Sequence, residues 1–131
     1  MIFPDYHLHS DFSSDCNTNI YDIISTAKEK GLSSICITDH YDIDFPIDPA
    51  EPDLTFDLDY ISYFKTMSAL RASLKPDFDL KIGIELGVTP DNIEKLVKFT
   101  SEGTEYDFFI ASSHLVDNMD PYNKVYFDGK T

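Results

Sequence analysis

At 131 residues with 42% apolar content, the chain has the length of one domain and enough hydrophobic material for one core. Its 24 Asp and Glu against 10 Lys and Arg give a formal charge of −14. That balance excludes general binding to a nucleic-acid backbone or an anionic membrane, which needs a basic footprint. Divalent cations held by the protein would reverse the sign locally and admit an anionic substrate.

Only Cys16 and Cys36 are present, too few for a disulfide scaffold, and Cys36 sits in an apolar run that suits a buried free thiol. No apolar run reaches the roughly 20 residues of a membrane span, and no signal-peptide pattern opens the chain. The expectation is a cytoplasmic protein.

In chain order, Ile2 to His9 reads as a first strand, apolar at Ile2, Phe3, Tyr6 and Leu8 and followed by turn-prone Ser and Asp. Ile20, Ile23, Ile24 and Ala27 recur at helical spacing behind Asn17 or Thr18 as N-cap, with Gly31 as the closing glycine. Ser34 to His40 is a β-branched buried strand ending in a polar triplet. From Asp39 to Asp59 runs a long connection with Pro46, Pro49 and Pro52, eight acidic residues and no Lys or Arg. Its length suits a solvated lid.

A second helix is predicted from about Leu58 to Leu74, with Ile61, Phe64, Met67, Leu70 and Leu74 on its buried face and Pro76 stopping it. Leu80 to Leu86 is a third strand carrying Glu85. Thr89 as N-cap and Pro90 at the first helical position open a third helix that ends at Gly103. Tyr106 to Ser112 is a fourth strand, and the residues from Leu115 onward read as loop. Strands alternating with helices imply an α/β fold with parallel strands.

The chemistry collects at strand ends. Residues two apart in a strand point the same way, so His7 and His9 aim together while Leu8 faces the packing, and Asp15 returns from the next loop. His40 ends strand two, Glu85 lies near the end of strand three, and His114 follows strand four. In parallel sheets and barrels these ends share one edge, where such folds build sites. His, Asp and Glu without thiolate suit zinc, iron or manganese better than magnesium. Without a cation, several imidazoles and acids at one mouth would carry desolvation costs of several kcal/mol per buried ion. Metal binding, on the scale of roughly 10 kcal/mol for a structural zinc, is large enough to offset them.

Around this set, Asp39 suits either orientation of a liganding histidine or capping of the strand-to-loop turn. Ser112 and Ser113 suit local turn chemistry more than phosphate contact. Cys16 is read as an ordinary loop thiol.

His7-Leu8-His9-Ser10, Thr38-Asp39-His40, Gly83-Ile84-Glu85-Leu86-Gly87 and Ser112-Ser113-His114 together resemble successive motifs of the polymerase and histidinol phosphatase (PHP) metal-dependent phosphoesterases. Among these, the chain looks most like the monofunctional histidinol-phosphatases. The resemblance implies a distorted parallel β/α, TIM-like barrel with two or three divalent ions at its carboxyl-end mouth. It assigns metal-ligand positions to His7, His9, Asp15, His40, Glu85 and His114, with Glu85 as candidate bridge.

The family's later ligands, a further strand-end histidine and a final Asp-x-His pair, have no counterpart, since no histidine follows His114. Residues 1–131 are therefore expected to be the front half of such a barrel, since four strands cannot close one. The expected activity is hydrolysis of a small phosphate monoester, histidinol phosphate in histidine biosynthesis, by a metal-activated hydroxide. A PHP phosphoesterase acting on nucleotides or nucleic-acid ends and a non-catalytic metal-binding domain are the rivals.

Overall fold

The structure, a computed structural model, describes residues 4–49, 51–52, 54–103 and 105–129. Ile2 and Phe3 of the expected first strand lie outside the described residues. Four strands, β1 (Asp5–Leu8), β2 (Ser34–Tyr41), β3 (Asp79–Gly87) and β4 (Phe108–Ser112), alternate with α1 (Ile20–Glu29), α2 (Tyr60–Leu74) and α3 (Ile93–Glu102). A 3-10 turn over Lys124–Phe127 interrupts the expected terminal loop. The sheet order is β1-β2-β3-β4 with every neighbour parallel, as the alternation implies.

The rings of Tyr6 on β1 and Phe108 on β4 approach to 5.7 Å between centroids. In a flat sheet three interstrand spacings would hold these outer strands about 14 Å apart. The sheet is therefore curled into a half-barrel, and the side chains of its two outer strands meet across the concave face.

Outside β1, whose register with β2 shifts between Asp5 and Leu8, alternation along the strands sorts the side chains. On β3, Leu80, Ile82, Ile84 and Leu86 are buried in the core, joined by Ile35 and Ile37 from β2. Ile20, Ile24 and Ala27 of α1, Tyr63, Met67 and Leu70 of α2, and Leu96 of α3 cover them. The opposite phase puts Cys36, Thr38 and His40 beside Lys81, Gly83 and Glu85, position for position.

Several local expectations shift. The N-cap of α1 is Asn19, not Asn17 or Thr18: its side-chain oxygen accepts from Asp22 N at 3.0 Å. Asn19→Ala should cost about 1 kcal/mol in urea unfolding, and an unchanged midpoint would deny the cap. Gly31 sits at φ +79° just past the helix, the backbone that favours glycine there. The buried face of α2 is Tyr63, Met67 and Leu70, whereas Ile61 is 68% exposed. Tyr63 takes the inward place because its hydroxyl donates to the carbonyls of both Ile37 (3.1 Å) and Gly83 (2.9 Å).

Helix α3 starts later than Thr89-Pro90 suggests, because Asn92 builds a turn there instead. Its side chain accepts from Thr89 N and donates to Gly87 O, each at 2.9 Å. Strand β4 begins at Phe108 rather than Tyr106. Asp107 is used otherwise, its carboxylate accepting from Ile82 N at 2.9 Å and Arg71 Nη1 at 2.8 Å.

Candidate metal centre

Parallel register makes His40 and Glu85 direct neighbours on adjacent strands. The β1 end adds His7 and His9, with Nε2 atoms 2.7 Å and 3.3 Å from Glu85 Oε2. From the far side, His114 Nε2 lies 3.0 Å from Glu85 Oε1, and His40 Nε2 lies 3.9 Å from Oε2. Asp15 comes from the loop after β1, its Oδ2 3.5 Å from His40 Nε2. All six residues singled out in the sequence converge, and Leu8 packs against the core.

The imidazoles form a continuous array. His9 and His40 stack at 4.4 Å between centroids with planes 3° apart, while His7 and His114 meet this pair edge-on at 5.1 Å and 4.8 Å. Among the described residues, three groups have one ligand atom from each member within 4.8 Å of the others: His7, His9 and Glu85; His9, Asp15 and His40; His40, Glu85 and His114. His9, His40 and Glu85 each belong to two of the three.

Electrostatics follow from this crowding. Burial opposes ionisation of Glu85 more than any other single influence. Hydrogen bonds from His114, His9, Ser112 and His7 together overcome it and hold the carboxyl well below its usual range. His114 is pushed up to about 10, first by its hydrogen bond to Asp42 and then by that to Glu85. The hydrogen bond to Glu85 likewise raises His9.

The donors fit a divalent cation. They are nitrogens and carboxylate oxygens 2.7–3.9 Å apart, and nearby the buried Nδ1 atoms of His9 and His40 have no hydrogen-bond partner. Charged acids and imidazoles with shared, incomplete partners are the chemistry that a metal ligand set presents before loading.

The surrounding residues divide differently from the sequence expectation. Asp39 neither orients an imidazole nor caps its own turn. Fully buried, it accepts from Ser10 N and Ser10 Oγ at 2.6 Å and from Ser13 Oγ at 3.0 Å. Ser13 Oγ in turn accepts from His40 N at 2.8 Å, so the loop carrying Asp15 is tied to β2. Ser112 donates to Glu85 Oε1 at 2.6 Å, a contact across strands rather than a local turn, whereas Ser113 does bond locally to Leu115 O.

Asp42 is the residue the sequence reading missed. It is buried, and its Oδ2 lies 2.5 Å from His114 Nδ1. The available signal was its position two after His40, on the same side if the strand continued, as β2 does to Tyr41.

Cys16 donates to His9 O at 3.3 Å from a half-buried position, while Cys36 is fully buried and its thiol is pushed up to about 12 by that burial. Iodoacetamide at pH 8 should label Cys16 and spare Cys36 in the folded chain. Equal labelling of both by mass spectrometry would contradict this packing.

A cavity of about 580 Å³ lies elsewhere, between the acidic connection and the segment after β4, lined by Phe45, Asp48, Glu51, Asp120 and Tyr122 among others. None of the six converging residues lines it. Packed rings lead from it towards the cluster: Phe45 on Phe56 at 4.7 Å, and Phe56 on His40 at 4.9 Å.

A family model described as the PHP domain matches residues 5–130. The chain belongs to the PHP domain family. A curated relative, the histidinol-phosphatase of Lactococcus lactis, is 32% identical over 94% of this chain and 43% of its own length. A solved histidinol phosphate phosphatase from Lactococcus lactis, complexed with zinc, L-histidinol and phosphate, matches with a TM-score of 0.78 and 32% identity, covering 89% of this chain and 42% of that one.

A Listeria monocytogenes structure matches with a TM-score of 0.76 over 87% of this chain and 46% of that one; at 20% identity it speaks for the fold alone. The chain thus spans less than half the length of these proteins. Among the described residues no helix is long and apolar enough to cross a membrane.

Proposed function

We propose that this chain supplies the opening strands and most of the metal ligands of a PHP-barrel phosphatase that hydrolyses a small phosphate monoester, histidinol phosphate. In this reading His7, His9, Asp15, His40, Glu85 and His114 hold two or three divalent ions, zinc, iron or manganese. The single observation that carries it is the meeting of four strand ends around Glu85, with three overlapping ligand groups in reach of one another. The curled sheet with two outer strands supports the front-half reading, since further strands would cover its concave face.

Uncatalysed monoester hydrolysis is among the slowest of reactions, so a site must stabilise phosphoryl charge strongly. The ions, when bound, would supply Lewis-acid charge to phosphoryl oxygens and lower the pKa of a water towards roughly 7. The chain's own part is placement. Glu85 stands between the His7–His9 side and the His40–His114 side, able to serve both. Asp39 and Ser13 hold the Asp15 loop against β2. The acidic connection from Asp42 to Asp57 disfavours anionic leaving groups and suits an alcohol carrying a cationic group.

The test is phosphate release by the complete gene product, with metal content measured on the same sample. Histidinol phosphate should be hydrolysed faster than a nucleotide. Preference for the nucleotide would reject the substrate, and bound metal without hydrolysis of either ester would reject the enzyme.

A further inference from the structure

Two imidazoles of the cluster are presented in the same sense: His114 and His40 both turn Nε2 towards Glu85 and Nδ1 towards Asp42. The distances to Glu85 are 3.0 Å and 3.9 Å, and those to Asp42 are 2.5 Å and 3.7 Å. Asp42 is not one of the six residues assigned to the cations. Its carboxylate instead spans the outer ring nitrogens of two of them, Oδ2 to His114 and Oδ1 to His40. The second contact is wider than a hydrogen bond, and both atoms, His40 Nδ1 and Asp42 Oδ1, are buried and without partner.

The surroundings make room for this carboxylate and fix it. A Cβ on residue 87 would stand 2.3 Å from Asp42 Cγ, so only glycine at the end of β3 leaves the side chain its place. The Asp42 backbone is held from the other direction, its N–H donating to Phe56 O at 2.8 Å where the acidic connection returns. Phe56 itself lies against the His40 ring.

From this geometry we infer that Asp42 is a positioning residue, fixing His114 and His40 with Nδ1 outward so that both offer Nε2 to a cation at Glu85. An imidazole has one donor and one acceptor nitrogen when neutral, and a carboxylate on Nδ1–H leaves Nε2 as the free lone pair. Carboxylates behind liganding histidines act in this way, and their loss typically costs 10–100-fold in metal affinity. Asn at the same position would instead present an N–H to one ring nitrogen and favour the wrong tautomer.

The inference rests on the metal-centre reading, and zinc binding to the full chain separates the two. With zinc and a competing chromophoric chelator, Asp42→Asn should raise the Kd about 10–100-fold while the far-UV circular dichroism of the metal-free chain stays unchanged. Gly87→Ala, which leaves the carboxylate intact but takes its space, should do the same. In the unsubstituted zinc-loaded chain, ring ¹⁵N spectra should show His114 bound through Nε2 with Nδ1 protonated, and the downfield Nδ1–H proton signal should move upfield in Asp42→Asn as its carboxylate acceptor is lost.

Zinc held by the unsubstituted chain through His114 Nδ1 would overturn the inference even if the variant failed to fold. Equal Kd values within twofold in a folded variant would overturn it too, leaving the metal centre standing. Failure of the unsubstituted chain to bind zinc would overturn both.

Discussion

Glu85→Gln should strip the chain of two of its three ligand groups at once, because Glu85 is shared by the His7–His9 side and the His40–His114 side. An amide keeps the shape but loses the charge that offsets the surrounding imidazoles and the shared oxygens that let one residue serve two ions. A whole structural zinc site is worth about 10–16 kcal/mol, so each lost ligand of four corresponds to roughly a hundredfold in affinity. Tightly bound zinc per chain should therefore fall by more than in Asp15→Asn, which touches only the His9–Asp15–His40 group. His9→Ala should resemble Glu85→Gln, since His9 also belongs to two groups. Elemental analysis after gel filtration reads this directly. Equal zinc in Glu85→Gln and the unsubstituted chain would remove Glu85 from the centre.

Asp39→Ala should lower stability by about 3 kcal/mol, more than a typical substitution. The carboxylate satisfies Ser10 N, Ser10 Oγ and Ser13 Oγ in a place closed to water. Alanine leaves at least the Ser10 N–H and the Ser13 hydroxyl without that acceptor, at about 1–3 kcal/mol for each buried group left unpaired. Asp39→Asn keeps one oxygen for Ser10 N and Ser13 Oγ, and Ser10 Oγ is able to turn and accept from the new amide, so it should cost far less. Urea unfolding of the two variants should separate them clearly. Matching midpoints would mean that the Ser10–Ser13 loop is held by something other than this carboxylate.

The alternation of strand and helix was legible because each β-branched run ended in turn chemistry and each helix carried an apolar stripe. The ligand set was legible for a related reason: several histidines and a carboxylate gather where buried strands end, and five of the six lie at or next to such ends, His7, His9, His40, Glu85 and His114. The face of α2 was legible in Phe64, Met67, Leu70 and Leu74, which are buried in or packed against the core, but not at its start. There Ile61 is exposed and Tyr63 turns inward instead, because its hydroxyl reaches two backbone carbonyls on β2 and β3.

The start of α3 was misread for a comparable reason. Thr89-Pro90 carries the right residue types for a helix start, but Asn92 binds back to Thr89 N and Gly87 O and delays the first turn. Asp42 was hidden among the acidic residues of a loop, where charge alone gives no direction. Its function depends on the space left by Gly87, forty-five positions away in the sequence.

The most direct measurement is anomalous diffraction at the zinc absorption edge from crystals of the chain grown with zinc. Peaks should stand among His7, His9, Asp15, His40, Glu85 and His114, each within about 2.0–2.2 Å of ring nitrogens and carboxylate oxygens. Zinc found only at surface carboxylates, with the space around Glu85 empty at saturating metal, would contradict the assignment.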